Sequence, residues 1–131
     1  MLHRAGQRAA DIFAAEARTG RLTPRQFAVL TVVAQNQGLT QSDLVARTGI
    51  DRSTLADIVA RLLSRGMIQR RRAKDDGRAY AIKISAQGDK ALREAQPAAA
   101  AADVRLLASL PPAKRQDFLE SLNKIVGDGE E

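Results

Sequence analysis

Two helix-start signals, Thr40 and Asp51, stand so close together that the chain between them has room for one short helix and a tight turn. Thr40 and Asp43 have the spacing of a capping box, in which hydroxyl and carboxylate each satisfy an otherwise orphan amide at a helix start. Leu44 and Val45 give this first helix an apolar patch, and Thr48-Gly49-Ile50 stops it, because glycine takes a left-handed turn at least steric cost. Asp51 then caps a second helix, in which Leu55, Ile58, Val59 and Leu62 recur at i, i+3, i+4 and i+7. That stripe must be buried.

At 100° per residue, Ser53, Asp57, Ala60 and Ser64 lie opposite the stripe, with Ala56 and Arg61 at its edges. An exposed helix face usually carries long Lys and Glu side chains. A face that enters a groove needs small residues for close approach and a few hydrogen-bonding groups. The following residues read as a hairpin. Gly66 ends the helix, Met67 to Arg72 is a strand-like run, Ala73 to Arg78 is a charged turn containing Gly77, and Ala79 to Ser85 alternates. Tyr80, Ile82 and Ile84 share one face of that last run, while Ala79, Ala81 and Lys83 share the other. Helix, turn, helix and basic hairpin is the order of a winged helix-turn-helix, whose second helix reads the major groove and whose hairpin tip reaches backbone or minor groove.

Charge placement supports a polyanionic partner. The chain carries a formal net charge of +6. Between residues 61 and 83 stand Arg61, Arg65, Arg70, Arg71, Arg72, Lys74, Arg78 and Lys83 against Asp75 and Asp76, a local +6 that equals the net charge of the whole. The rest of the chain is balanced, with 13 basic and 13 acidic side chains. Charge gathered on one element is the electrostatic footprint of a nucleic-acid contact, as against a merely solvated loop.

Length and composition exclude several other classes. At 131 residues we expect a single domain. With no cysteine, disulfides, thiolate metal sites and cysteine-based redox sensing are excluded, and with His3 as the only histidine neither a zinc site nor any other cofactor is expected. No nucleophile and base pairing, Gly-rich phosphate cradle or metal cluster points to an enzyme. No apolar run approaches a membrane span and the N-terminus does not read as a signal peptide, so a cytoplasmic protein with no membrane partner is expected.

Taken in order, Leu2 to Arg18 reads as a helix with Ala9, Ile12, Phe13 and Ala17 as its buried face. Thr23-Pro24 opens a helix that is apolar almost all round from Phe27 to Ala34, so Pro24 to Gln35 is expected at the centre of the domain. Ser85 can cap a long helix, with Gly88 a weak spot in its first turn. Pro97 interrupts it, and the alanine run Ala98 to Ala102 continues it as a kinked helix to about Leu110. After Pro111-Pro112, residues Ala113 to Val126 form a last helix with Phe118, Leu122, Ile125 and Val126 on one face. The expected fold is therefore mainly α with a small β-hairpin, a DNA-reading part over 22–85 flanked by helices over 1–20 and 86–127. Those flanking helices carry apolar faces that a small head does not need for its own core. Packing against a second copy would bury them and give two heads for a pseudo-palindromic site, whereas the simpler alternative is that they cover the monomer core.

These residues resemble the MarR family of bacterial winged helix-turn-helix regulators. The resemblance rests on Leu39-Thr40-Gln41 with Leu44 and Val45, on Asp51-Arg52-Ser53-Thr54 with the helix end at Leu62 and Gly66, and on the wing. There, residues 72–78, with Asp76 and Arg78, followed by Ile82-Lys83-Ile84-Ser85 and Gly88, are similar to the family's D-x-R wing tip and following L-T-x-x-G. It covers residues 22–88, the outer helices fitting by position and length.

The resemblance implies a homodimeric DNA-binding repressor or activator, repression being the preferred reading, whose affinity for double-stranded DNA is altered by a small-molecule effector, often an aromatic acid or its conjugate such as a thioester. Carried over residue by residue, Arg78 enters the minor groove while Asp76 fixes the wing, with Arg72 and Lys74 beside them. Arg52, Ser53, Thr54, Asp57 and Arg61 face the major groove or its phosphates, and Gln41 and Ser42 lie beside the backbone. The chain departs from the family in having Ala56 and Asp57 where many members have a basic or hydroxyl residue. A carboxylate there suits DNA only if it accepts from a cytosine amino group. Effector pockets in the family lie between head and dimerising helices. Phe13, Phe27, Arg18 and Arg93 are conceivable lining residues, but the resemblance fixes none of them. The competing reading is a winged helix used as a protein-interaction or architectural module without an effector.

Overall fold

Capping side chains set where the helices of the middle of the chain begin. A computed structural model describes residues 1–18, 20–72 and 80–127. The elements run in the order α1 (Leu2–Ala17), α2 (Pro24–Gln35), α3 (Gln41–Thr48), α4 (Arg52–Ser64), β1 (Ile68–Arg72), β2 (Tyr80–Ile84), α5 (Ala86–Leu107) and α6 (Pro112–Val126). At α2 a reciprocal capping box closes, the Gln26 amide donating to Thr23 Oγ1 and the Thr23 amide to Gln26 Oε1, both at 3.1 Å. The box at α3 is equivalent, Asp43 N to Thr40 Oγ1 at 3.2 Å and Thr40 N to Asp43 Oδ2 at 3.0 Å. Asp51 caps α4 and Ser85 caps α5, accepting from the amide of Gly88 at 3.0 Å.

The chain divides into two compact units, Thr19–Pro97 and Met1–Arg18 with Ala98–Glu131. In the first, α2 packs on α3, α4 and β2, and α4 packs on α3 and β1. Val29, Leu30 and Val33 of α2, Leu44 of α3, and Leu55 and Leu62 of α4 are all fully buried. The buried stripe expected on α4 and the central position expected for α2 are thus both present. Ala91 and Leu92 join the same core, so the first turns of α5 belong to this unit and not to the outer helices.

The strands form an antiparallel two-stranded hairpin in the register Ile68 to Ile84 through Arg72 to Tyr80. Met67, expected as the first strand residue, is taken instead by the end of α4. Its amide donates to Leu62 O at 2.9 Å while the Gly66 amide donates to Leu63 O at 3.0 Å, a Schellman closure that Gly66 makes at φ 73°. The hairpin also carries a contact absent from the sequence reading. Leu39 bridges Ile82, and Gln37 Oε1 accepts from the Ile84 amide at 3.1 Å, so the turn before α3 covers the edge of β2.

In the second unit, Ile12 and Phe13 of α1 and Ala102 of α5 are buried, and Arg105 Nη1 meets Glu16 Oε2 at 2.8 Å. Helix α5 runs continuously through Pro97 and ends at Leu107 in a turn where Leu110 N donates to Leu107 O, short of the expected Leu110. Helix α6 has no buried residue. Phe118, Leu119, Ile125 and Val126 are exposed, Val126 at 81%. Among the described residues, no helix is long and apolar enough to cross a membrane.

Candidate nucleic-acid interface

The site is built outward from the start of α4. Asp51 accepts from the Thr54 amide at 2.8 Å through Oδ1 and from the Thr54 hydroxyl at 2.9 Å through Oδ2. Those two bonds, the amide's first, hold its carboxyl below the ordinary aspartate value, so the cap stays ionised. They also commit the Thr54 proton. Thr54 is half-buried and can offer an outside partner only its lone pairs, whereas Ser53 beside it is exposed and its hydroxyl has no partner among the described residues.

Beyond Ser53 the outward face of α4 is made by Ala56, Asp57, Ala60, Arg61 and Ser64, all exposed. Asp57 does not stand alone there. Arg61 Nε donates to Asp57 Oδ2 at 3.0 Å, with both side chains about two-thirds exposed at 67% and 64%. An exposed pair of this kind contributes little to stability. Its effect is on the character of the face: the carboxylate is partly neutralised, and because the bond uses Nε, the two terminal amino groups of Arg61 remain available to an anion.

The start of α3 lies against the start of α4. Arg52 Nη1 reaches Ser42 Oγ at 3.4 Å, which brings two sequence candidates together, and the half-buried Gln41 precedes Ser42 at the same helix end. Two helix N-termini close together offer free amides and partial positive charge, the usual provision for a phosphate. Arg72 is placed separately, on β1, exposed and opposite Tyr80. Lys74, Asp76 and Arg78 lie outside the described residues.

Two more residues border this surface: Gln26, which sequence reasoning passed over, and Arg65, which it counted only in the basic cluster. Gln26, only 8% exposed, accepts from Arg65 Nη1 at 3.3 Å as well as from the Thr23 amide, tying the start of α2 to the end of α4. With Asp57, Ala60, Arg61 and Ser64 they line a shallow groove along α4. The Thr23 and Gln26 spacing of a capping box was the available signal for Gln26. Nothing local marks Arg65 as its partner.

A family model described as MarR family matches residues 22–79. A probable transcriptional regulator from Pseudomonas aeruginosa superposes with a TM-score of 0.87 at 32% identity, over 95% of this chain and 92% of that one. The transcriptional repressor CouR bound to a 23-mer DNA duplex gives a TM-score of 0.86 at 28% identity, over 96% of this chain and 89% of that one. BpsR of Bordetella bronchiseptica, whose DNA binding is regulated by 6-hydroxynicotinic acid, gives 0.88 at 27% identity, over 96% of each chain.

Proposed function

The chain belongs to the MarR family of transcriptional regulators, and from that premise we propose that it is a homodimeric, sequence-specific repressor whose operator affinity is lowered by a small aromatic acid or its thioester. The observation that carries the DNA-binding part is the outward face of α4, where small residues and one exposed hydroxyl stand between two guanidinium-bearing positions, Arg52 and Arg61. Such a face allows close approach to base edges, and the charges beside it favour phosphates. The assignment of contacts follows: Ser53, Thr54, Asp57 and Arg61 to the major groove, Arg52, Gln41 and Ser42 to the flanking backbone, and Arg72, Lys74, Asp76 and Arg78 to the wing. CouR, a repressor of the same fold on a duplex, supports this reading, and the regulation of BpsR by a hydroxylated aromatic acid supports the effector class.

The dimer is proposed from what a single chain leaves in water. Leu2, Val104, Ile125 and Val126 are exposed at 68%, 70%, 67% and 81%, all on the unit formed by α1, α6 and the end of α5. Apolar surface of that extent is normally covered by a partner. Light scattering at micromolar concentration should therefore return a dimer mass, and a monomer mass would overturn this part of the reading. For the whole proposal, the protein should shift a duplex from its own upstream region and leave a scrambled duplex of equal length unshifted. A thermal-shift screen of aromatic acids and their thioesters should then find a compound that raises Tm, since a ligand bound only to the folded state must stabilise it, and the same compound should release the duplex.

A further inference from the structure

On the hairpin, Arg72 stands directly opposite Tyr80 and Arg70 opposite Ile82. By the period of two, Arg70, Arg72 and Tyr80 share the sheet face to which Ile68 and Ile82 belong. The base of that face is core, with Ile68 and Ile82 at 2% and 1% exposure. Past the core the same face reaches water, and Tyr80 is 41% exposed. The parity read from the sequence, which grouped Tyr80 with Ile82 and Ile84, therefore holds, but burial does not account for an aromatic residue at this place. Its neighbours do. The guanidinium carbon of Arg70 lies 5.0 Å from the centroid of the Tyr80 ring and that of Arg72 lies 5.5 Å from it. Arg72 Nη2 also donates to the Tyr80 hydroxyl at 3.5 Å.

Two guanidinium groups on one strand face repel each other and, left to themselves, sample many rotamers. The ring opposes both tendencies, since its negative face attracts each cation within about 6 Å. A cation–π contact itself consumes no N–H donor, so it orders a guanidinium group without competing for its hydrogen bonds. We propose that Tyr80 is a positioning residue for DNA recognition, its ring clamping Arg70 and Arg72 so that the hairpin presents two ordered guanidinium groups to the duplex backbone. This rests on the DNA-binding reading above and extends it to Tyr80 and to Arg70, which the sequence placed only within the basic cluster. The effect on binding is one of preorganisation: side chains already restrained lose less freedom when they meet phosphates.

The test compares Tyr80→Leu, Tyr80→Phe, the pair Arg70→Gln with Arg72→Gln, and the triple variant carrying Tyr80→Leu with that pair. Affinity for the operator duplex is measured over a series of salt concentrations, and folding is monitored by thermal melting. Tyr80→Leu should weaken binding roughly tenfold per subunit, the order expected when two long side chains must be ordered during association. Tyr80→Phe keeps the ring and should stay within about twofold of the parent. In the Gln pair, Tyr80→Leu should add nothing, because a positioning residue has no effect once the groups it positions are gone. Wild-type affinity in Tyr80→Leu, a Phe variant as weak as Leu, or a further loss in the Gln background would each overturn the proposal. Tyr80 is the only tyrosine and the chain has no tryptophan, so its emission reports the clamp independently of DNA. Emission that responds to the Gln pair in a protein that binds no duplex would refute the DNA-binding reading while leaving the clamp itself intact.

Discussion

Replacing Gly88 by alanine is expected to lower the stability of the head by about 3 kcal/mol or more, even though helix propensity alone predicts a gain of up to about 1 kcal/mol for the same change. The opposite signs make this a sharp test. Gly88 lies in the first turn of α5, where Ser85 accepts its amide. A Cβ built there falls 2.0 Å from the Met67 carbonyl oxygen and 2.9 Å from Ile84 Cγ1. The carbonyl is backbone and is already engaged, accepting from the Ser85 amide at 3.0 Å, and Ser85 Oγ donates to the Gly66 carbonyl at 2.6 Å. No flexible side chain can give way, so relief requires separating α5 from the junction where α4 ends and β1 begins. Thermal melting should show a Tm lowered by more than about 10 °C, given the usual shift per kcal/mol for a domain of this size. A melting temperature equal to or above that of the parent would show that the junction is looser than the distances indicate.

Gly88 also marks where the sequence stops being informative. Read locally, a glycine in a first helical turn is a weak spot. Its cause is a carbonyl that belongs to another element, and no periodicity or capping rule reports on that. The same division runs through the molecule. The starts of α2, α3 and α4 were legible because Thr23, Thr40 and Asp51 act on amides within three residues of themselves. The buried stripe of α4 was legible because one helix face repeats in sequence. The bond from Arg65 to Gln26 and the cover that Gln37 gives to β2 span 39 and 47 residues, and local patterns do not carry pairings of that range. Tyr80 shows an intermediate case: its face followed from alternation, but its role depends on how far the core extends along the hairpin.

The outward face of α4 was only half legible for a related reason. Composition marks it as small and polar, and the position of Asp57 read as a departure from the family, unfavourable beside phosphates. The pairing with Arg61 one turn later changes that. Glu or Asp four residues before Arg is a known helical pair, so the signal was present in the spacing, but its consequence for the charge of the outward surface emerges only when both side chains are seen on the same exposed face.

Arg78→Ala is expected to weaken operator binding by roughly a hundredfold or more in the dimer, since each subunit loses a charge-assisted contact of about 1.5–3 kcal/mol. The expectation follows from the concentration of positive charge between residues 61 and 83 and from the resemblance of Asp76 and Arg78 to the family's wing tip. A cation placed in a narrow minor groove sits where the negative potential is enhanced, so the loss should be greatest on operators with A·T-rich flanks. The salt dependence gives a second reading of the same contact. Each phosphate neutralised contributes about 0.9 to the slope of log affinity against log salt, so losing one contact per subunit should reduce the slope for a dimer by roughly 2. Ser53→Ala is the matched control. An exposed hydroxyl that reads a base edge carries no charge, so its loss should alter discrimination among operator variants by about 1–3 kcal/mol and leave the slope nearly unchanged. Measured together on operator and scrambled duplexes, the two variants separate electrostatic from base-specific contacts within one protein. An unchanged slope in Arg78→Ala would mean that the wing does not touch DNA, and a reduced slope in Ser53→Ala would mean that the α4 face binds through charge and not through base edges.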